Sequence, residues 1–560
     1  MKQVKLAFIF SAPFRNPYLE FLLFKEIKNL SIRFCMEYLP AEKEFILRVL
    51  GGENEVKILS DVLATTFPLS LFFVFKQIQI LDDDAIFEPY QTLDFPHFTL
   101  EKQRLLPAMN IDIKMHLNEL QEFPYKGNVY LENVPILSSA RQPNKGVVAE
   151  SFYALAKKVA LGEEVYIHTL YGAKVLSINE SEKEWSMPCD IATLELFFRV
   201  CSAEVNALAS WEKPLMRIPR KGLKQHQEPQ PPSLISPICV SFDDDIVCLP
   251  YDVTLLILAH FLIELKVDIV YLSSVQKMPI DEMLSKYSHA FVSNQLISLE
   301  PLWIAVSQKG HILNLSKPCM SMSYPHYLSE FLKQNPNLPS SLMVAHMGYE
   351  VPTIVAVCNE QRLQKILEIY FPLENSLWLQ EIQCDSVGAK LIANFIQKFP
   401  HIQTMLAENR QPTYSENLFD VLGVIYQVLY DPSASLSEGK NKMLQFATYF
   451  LGEKGPRIDY KLYAKNGGVA LSYLLILRSC MSFALAGVDK ETLAFGVVES
   501  MAEFYGNLLR DMGENFMLQE VILSGSMLSY RPFLNALVRY IPSLKIHISP
   551  DFSLDHIKVF

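Results

Sequence analysis

One stretch, residues 246–274, constrains the fold more than any other part of the chain. Its sequence is IVCLPYDVTLLILAHFLIELKVDIVYLSS, in which a β-rich run, Ile246–Leu249, precedes about a dozen mostly apolar residues and a second β-rich run, Val267–Leu272. Asp252 stands where a helix N-cap is expected, so the stretch predicts a β-α-β unit. Neither β-rich run alternates polar with apolar residues. The pattern therefore predicts strands covered on both faces, as in a largely parallel sheet.

The end of this unit is a candidate ligand site. Ser273 and Ser274 close the second strand, beside the predicted helix start. Open α/β sheets bind anionic ligands at the carboxyl ends of their strands and at helix N-termini. The residues alone leave a second interpretation open, namely a packed crossover that binds no ligand.

Composition narrows the class of protein. A chain of 560 residues, 50% hydrophobic and 20% charged, is typical of a globular protein with roughly three to five domains. The net charge of −11 argues against general nucleic-acid binding. We expect a cytoplasmic protein, because no apolar run approaches the roughly 20 residues of a membrane span and no signal peptide is visible. Nine scattered cysteines without a C-x-x-C pair are typical of free thiols in a reducing compartment.

The order of several segments resembles a known family. Two motifs of the HypF family, LPYTPLHHLL and VMTSGN, are similar to LPYDVTLLILAHFLIE and the following IVYLSS of this chain. The HypF proteins are carbamoyltransferases that act in the maturation of nickel–iron hydrogenases. Glu212–Leu215 matches the EKPL motif of that family, and LQEVILSGSMLSYRPFL resembles its VALSGGVFQNRLLL passage. The chain is identified as a divergent and shortened member of the HypF family.

The resemblance implies a multidomain protein that combines α/β and α+β folds. The implied segments are an acylphosphatase-like ferredoxin-type sandwich at residues 1–82, a connector in place of zinc fingers at 83–145, a YrdC-like α/β domain at 146–320, and a degenerate actin-like α/β domain of the threonylcarbamoyl-transferase type at 321–560. The element order βαββαβ in the first segment independently predicts the ferredoxin-like sandwich.

Five residues match phosphate contacts of the family, and the resemblance implies ATP as their cofactor. Arg15, in IFSAPFRNPYLEFLL, matches the catalytic arginine that grips a phosphate, and Lys213 belongs to the EKPL motif. Ser274, Ser524 and Gly525 match further nucleotide-binding positions. For Lys213, a solvated surface charge is the alternative interpretation.

Other family motifs are altered. Ser11–Pro13 replaces a glycine-rich loop, Ala207–Ser210 replaces an arginine cluster, and Val292–Gln295 lacks the charged groups that hold ATP and carbonate. The zinc-finger cysteines are missing, so we expect no zinc. We also expect no metal site, since the metal-binding histidines are reduced to His401 and the family's phosphate loop is deleted between Arg410 and Tyr414.

Two functions remain open at this point. The resemblance implies carbamoyl transfer from carbamoyl phosphate, through a carbamoyl-adenylate, to the C-terminal cysteine of a HypE-like partner protein. The missing motifs favour a catalytically degenerate scaffold or regulator that binds hydrogenase-maturation partners.

Overall fold

A computed structural model describes most of the chain. The described residues are 3–12, 15–65, 67–81, 127–131, 134–137, 145–180, 183–221, 245–275, 291–294, 301–308, 310, 312–314, 324–336, 338–360, 362–407, 411–465 and 468–548. They form two compact units, one up to Lys221 together with Asp245–Leu302, and one from Trp303 onward. Most of the predicted connector lies outside the described residues.

The chain opens with a small α+β sandwich. Its elements are β1 (Gln3–Ser11), α1 (Pro17–Ile27), β2 (Arg33–Leu39), β3 (Glu44–Gly52), α2 (Glu53–Thr65) and β4 (Val74–Ile80). The antiparallel sheet has the order β2-β3-β1-β4, with β3 inserted between β1 and β2. Apolar side chains of β1 and β3 alternate onto the helices and bury Phe8, Phe10 and Leu47. The predicted ferredoxin-like sandwich is confirmed.

A nine-stranded sheet makes up the rest of the first unit. Its strands are β5 (Gly127–Leu131), β6 (Val134–Leu137), β7 (Val165–Thr169), β8 (Gly172–Ser177), β9 (Trp185–Pro188), β10 (Met216–Ile218), β11 (Asp245–Val247), β12 (Ile269–Ser274) and β13 (Phe291–Asn294), and its helices are α3 (Lys145–Ala160), α4 (Ile191–Phe197), α5 (Ser202–Ala209) and α6 (Val253–Glu264). The strand order is β10-β11-β9-β12-β8-β7-β13-β5-β6. The Asp252 side chain accepts from the Leu255 N–H at 2.9 Å, which confirms the N-cap.

The expectation of a largely parallel sheet is wrong. Within this sheet β11 pairs with β9 in parallel and β13 with β7 in parallel, whereas the other described neighbours are antiparallel. The strands β11 and β12 of the opening stretch do not pair, because β9 lies between them. An unbroken apolar run indicates that other elements cover both faces of a strand. This coverage does not depend on whether the neighbouring strand is parallel or antiparallel.

The second unit is larger. Its elements are β14 (Ile304–Val306), β15 (Ile312–Asn314), α7 (Tyr324–Gln334), β16 (Ser341–His346), β17 (Ile354–Asn359), β18 (Arg362–Lys365), β19 (Leu367–Glu368), β20 (Phe371–Pro372), α8 (Asn375–Gln383), α9 (Ser386–Lys398), α10 (His401–Ala407), β21 (Tyr414–Ser415), α11 (Asp420–Leu429), α12 (Leu436–Tyr449), β22 (Leu462–Lys465), β23 (Gly468–Leu471), α13 (Tyr473–Leu485), α14 (Lys490–Phe516), β24 (Glu520–Ser524), α15 (Arg531–Tyr540) and β25 (Lys545–Ile548). The main sheet has the order β18-β17-β16-β24-β25, with β16 and β24 parallel at its centre.

The core of this unit surrounds the long helix α14. Residues from Leu493 to Met512 along that helix are buried against α12, α15 and the sheet. None of the described helices, α14 included, combines the length and apolar character that crossing a bilayer requires. No disulfide links the seven cysteines that the structure describes.

Candidate functional site

Arg15 lies just before helix α1 and is engaged by a residue of that helix. Its Nε donates to Glu20 Oε1 at 2.6 Å and its Nη2 donates to Glu20 Oε2 at 3.3 Å. The Glu20 side chain is 1% exposed, whereas that of Arg15 is 57% exposed. A guanidinium binds a phosphate through the same two-pronged geometry. The guanidinium that the resemblance assigns to a phosphate therefore binds a carboxylate of the same chain.

Lys213 is buried, so the alternative of a solvated surface charge is wrong. The residue is 5% exposed, its backbone φ is 46°, and its Nζ donates to the Ala209 carbonyl at 3.1 Å. Burial lowers the pKa of Lys213 to about 7, although Glu212 opposes the shift. Desolvation thus favours a neutral amine at this position.

Glu212, next to Lys213, contacts the first sandwich. Its carboxylate accepts from the Ser70 hydroxyl and, at 3.0 Å, from the Leu71 N–H. The Trp211 N–H donates to the Leu69 carbonyl at 2.7 Å beside it. The EKPL motif therefore holds the segment that leads into β4.

Ser274 belongs to a polar cluster that the opening stretch helps to build. It pairs across the sheet with Lys174 of β8, and Lys174 Nζ donates to the Ser274 hydroxyl and to Glu184 Oε2 at 3.3 Å. The Ser274 hydroxyl in turn donates to the same Glu184 oxygen. We call Lys174, Glu184 and Ser274 the lysine cluster.

One aromatic ring packs against the amine of the lysine cluster, and two tyrosine rings pack with that ring. Lys174 Nζ lies 3.7 Å from the centre of the Trp185 ring. The centre of the Tyr251 ring lies 6.1 Å from that of Trp185 and 4.5 Å from that of Tyr171. Burial lowers the pKa of Lys174, while Glu184 opposes the shift. A desolvated amine with a carboxylate and a hydroxyl in contact is an arrangement found at reactive sites as well as in structural ion pairs.

Ser524 and Gly525 form a turn at the carboxyl end of β24, but the turn is packed against another part of the chain. Gly525 has a φ of 112°, and a Cβ at this position would lie 2.2 Å from the Met347 carbonyl carbon and oxygen. The Met347 N–H donates to the Ser524 carbonyl at 2.8 Å, and the Tyr349 N–H donates to the Ser526 hydroxyl at 3.0 Å. The turn is therefore closed by the segment that follows β16.

His346 ends the strand β16 directly beside Ser524. Its Nδ1 lies 3.0 Å from Ser524 Oγ, and its buried Nε2 has no hydrogen-bond partner among the described residues. Tyr324 Oη lies 3.4 Å from the same Ser524 Oγ. Burial lowers the pKa of His346 to about 3, so the imidazole is neutral at pH 7.

His401 is paired with backbone. Its Nε2 donates to the Val428 carbonyl at 3.1 Å. In the part of the chain that the structure describes, no three His, Cys, Asp or Glu side chains are grouped so that they could hold a metal ion.

The sequence analysis missed four residues of these sites: Lys174, Glu184, Trp185 and His346. A signal existed for two of them. Lys174 interrupts the apolar run of β8, and His346 ends the apolar run of β16. Glu184 and Trp185 carried no such signal, because their role depends on the pairing of β9 with β12.

The comparisons with known proteins decide the family. No protein-family model matches the chain. Protein HydE of Wolinella succinogenes is 34% identical over an alignment of 577 residues, which covers 99% of this chain and 100% of that protein. The chain belongs to the HydE family.

Two solved structures share the fold of this HydE-family chain. One is a full-length HypF in its phosphate- and nucleotide-bound form, with a TM-score of 0.54, 12% identity, and coverage of 98% of this chain and 96% of that one. The other is T. kodakarensis HypF, with a TM-score of 0.56, 13% identity, and coverage of 98% and 95%. The expected HypF-like multidomain fold, which combines α/β and α+β parts, is confirmed.

Proposed function

We propose that this HydE-family protein acts in the maturation of nickel–iron hydrogenases as a scaffold or regulator that binds other maturation proteins, a HypE-like protein among them. The HypF fold over nearly the whole chain supports the maturation pathway. A cytoplasmic location and the division at residues 82, 145 and 320 are part of the same proposal.

The closed turn at Gly525 carries this proposal. Met347 backbone atoms lie where a Cβ on Gly525 would point, so the protein's own backbone fills this side of the turn. A phosphate cannot approach Gly525 from that side, which weakens the match to the family's nucleotide site. Arg15 and Lys213 support the same conclusion, because a carboxylate and a backbone carbonyl already accept their hydrogen bonds.

A second candidate is retained carbamoyl transfer from carbamoyl phosphate. The lysine cluster favours it, since Lys174 places a desolvated amine against a carboxylate and next to an exposed hydroxyl. Ser274, one of the five predicted phosphate contacts, belongs to this cluster.

Complementation distinguishes the two candidates. A strain without the gene should lose nickel–iron hydrogenase activity, and the wild-type chain should restore it. The Arg15→Gln chain should restore it equally well, because a scaffold does not need a phosphate-binding guanidinium. Because Arg15→Gln removes the cation beside the buried Glu20 carboxylate, thermal unfolding is measured alongside, and Arg15→Gln/Glu20→Gln, which also removes that buried charge, is the folded comparison.

A biochemical assay completes the test. Purified wild-type chain, given ATP and carbamoyl phosphate, should release no pyrophosphate above the rate without protein, with an active HypF as the positive control. Pyrophosphate release together with loss of complementation by Arg15→Gln would establish the second candidate instead. Failure of the wild-type chain to restore hydrogenase activity would reject both.

A further inference from the structure

Lys174 is an unusual lysine because its ammonium is buried within a sheet yet close to solvent. Its side chain is 3% exposed, and the side chain of its partner Glu184 is 19% exposed. Ser274, which accepts from Lys174 Nζ, is exposed at the end of β12. A reagent at the surface can therefore reach the Ser274 hydroxyl and the Glu184 carboxylate, both of which contact the amine.

The lysine cluster contains the parts that acyl transfer to an amine requires. The nucleophile must be a neutral amine, and burial favours the neutral form of Lys174. A carboxylate in contact must accept the proton, and Glu184 Oε2 lies 3.3 Å from Lys174 Nζ. A hydroxyl must be able to donate to the oxygen of the attacked carbonyl, and the exposed Ser274 hydroxyl, which accepts from the same amine, can turn its proton from Glu184 to that oxygen as Glu184 takes up the amine proton.

We propose that Lys174 is an acyl acceptor that takes the carbamoyl group of carbamoyl phosphate, a ligand of the acyl phosphate class. Lys174 Nζ attacks the carbonyl carbon, a carbon–nitrogen bond forms, and the bond between that carbon and the phosphate oxygen breaks. Phosphate leaves with the electron pair, and the amine proton passes to Glu184. The product is a neutral carbamoyl-lysine, which removes the cost of keeping a cation buried beside Trp185.

The choice of a carbamoyl group rests on the second candidate function, carbamoyl transfer. The proposal that Lys174 accepts an acyl group rests on the contacts of the lysine cluster and does not depend on that candidate. Carbamoyl phosphate and acetyl phosphate are therefore used as separate probes, and cyanate, which carbamoylates amines without an enzyme site, is the reagent control.

The experiment measures the labelling rate of individual lysines by peptide mass spectrometry of the full chain near pH 7.5. Two lysines serve as internal comparators. Lys266 is exposed in the same unit, and Lys440 is buried and paired with Asp420 at 2.7 Å. With carbamoyl phosphate, Lys174 should be labelled at least about tenfold faster than either comparator, and Glu184→Gln should slow it by about tenfold. Cyanate should label Lys266 at least as fast as Lys174.

A matched variant protects the test from a folding artefact. Ser274→Ala removes the exposed hydroxyl that contacts Lys174 and Glu184 and should slow labelling, and thermal unfolding of this variant checks that the chain remains folded. Labelling of Lys174 no faster than Lys440, or at an unchanged rate in Glu184→Gln, would overturn the inference. Labelling by acetyl phosphate but not by carbamoyl phosphate would overturn the carbamoyl assignment. Absence of labelling beside successful complementation would reject this inference while the scaffold function stands.

Discussion

Both carboxylate oxygens of Glu20 accept hydrogen bonds from the guanidinium of Arg15, at 2.6 Å and 3.3 Å. Glu20 lies in the first turn of α1, where the helix dipole stabilises a negative charge. The chain thus places its own anion at the position where the family resemblance implies a bound phosphate.

Removing the internal anion should restore phosphate affinity. In Glu20→Gln, the Nε and Nη2 groups of Arg15 lose the carboxylate that accepts their hydrogen bonds, which removes a negative charge that competes with inorganic phosphate. We expect phosphate to bind about tenfold more tightly than to the wild type, as one charge-assisted hydrogen bond of about 1.5–3 kcal/mol would allow. Isothermal titration calorimetry or phosphorus NMR measures this change.

The double variant Arg15→Gln/Glu20→Gln is the control for this prediction. It keeps the neutral residue at position 20 but removes the guanidinium, so its phosphate affinity should return to the wild-type level. Equal phosphate binding by Glu20→Gln and the double variant would show that the gain does not pass through Arg15.

A second prediction concerns the contact between the EKPL motif and the first sandwich. Ser70 and Leu71 donate to different oxygens of Glu212, so Glu212→Gln keeps an acceptor for one of them and places an NH2 donor against the other. The free energy of unfolding of the first unit should fall by about 1–3 kcal/mol, the usual cost of an unsatisfied buried group. Denaturant unfolding followed by tryptophan fluorescence measures this change, in chains that all carry Trp303→Phe and Trp378→Phe so that Trp185 and Trp211 of the first unit emit alone. The exposed Glu195→Gln should change it by less than about 0.5 kcal/mol.

The arrangement of elements could be predicted where local pattern decides it. The first sandwich follows from the alternation of β-rich and helical runs, and the N-cap Asp252 follows from its place before an apolar helix. The direction of the strands in the large sheet could not be predicted. The apolar runs of β11 and β12 show coverage on both faces, whereas the insertion of β9 between them is a long-range event.

In the candidate sites, too, the residues that a local motif marks could be predicted, whereas their neighbours from distant strands could not. The sequence singled out Ser274 and Ser524, and the structure gives each a polar neighbour from a strand distant in the chain, Lys174 and His346. Those neighbours follow from strand register, which one sequence does not reveal. The resemblance indicated where phosphate contacts would lie. It did not indicate that Arg15 pairs with Glu20 or that Gly525 packs against the backbone of Met347.

The stability of the first unit should depend on pH through Lys213. Burial holds its folded-state pKa at about 7, below the ordinary value of about 10.4, so the unfolded chain binds more protons between these two values. The penalty for burying the charge is therefore complete below pH 7 and is relieved as the pH rises toward 10. Lys213→Met should be more stable than the wild type at pH 6, and this advantage should shrink by pH 10.

Lys266→Met is the matched control for that experiment. Lys266 also has a positive φ, 62°, but is exposed, so Lys266→Met shows what the substitution of a lysine by methionine does without burial. Denaturant titrations of both variants and the wild type at pH 6, 8 and 10 give the comparison. Parallel pH profiles of Lys213→Met and the wild type would mean that Lys213 keeps an ordinary pKa in the folded chain.

The closed turn in the second unit can be tested with two glycines that share a positive φ but differ in their surroundings. Gly525 has a φ of 112°, and a Cβ on it would lie 2.2–2.4 Å from backbone atoms of Met347. Gly487 has a φ of 83°, and a Cβ on it would meet no atom within 4 Å. Gly487→Ala should cost about 1 kcal/mol, from the left-handed conformation alone. Gly525→Ala should cost several times more, because a φ of 112° with a ψ of 140° is a conformation nearly restricted to glycine, and because the backbone of Met347 cannot move without breaking its hydrogen bonds to Ser524 and Met527. Chemical denaturation of the two variants measures the difference, and similar losses of stability would contradict the close packing of Met347 against Gly525.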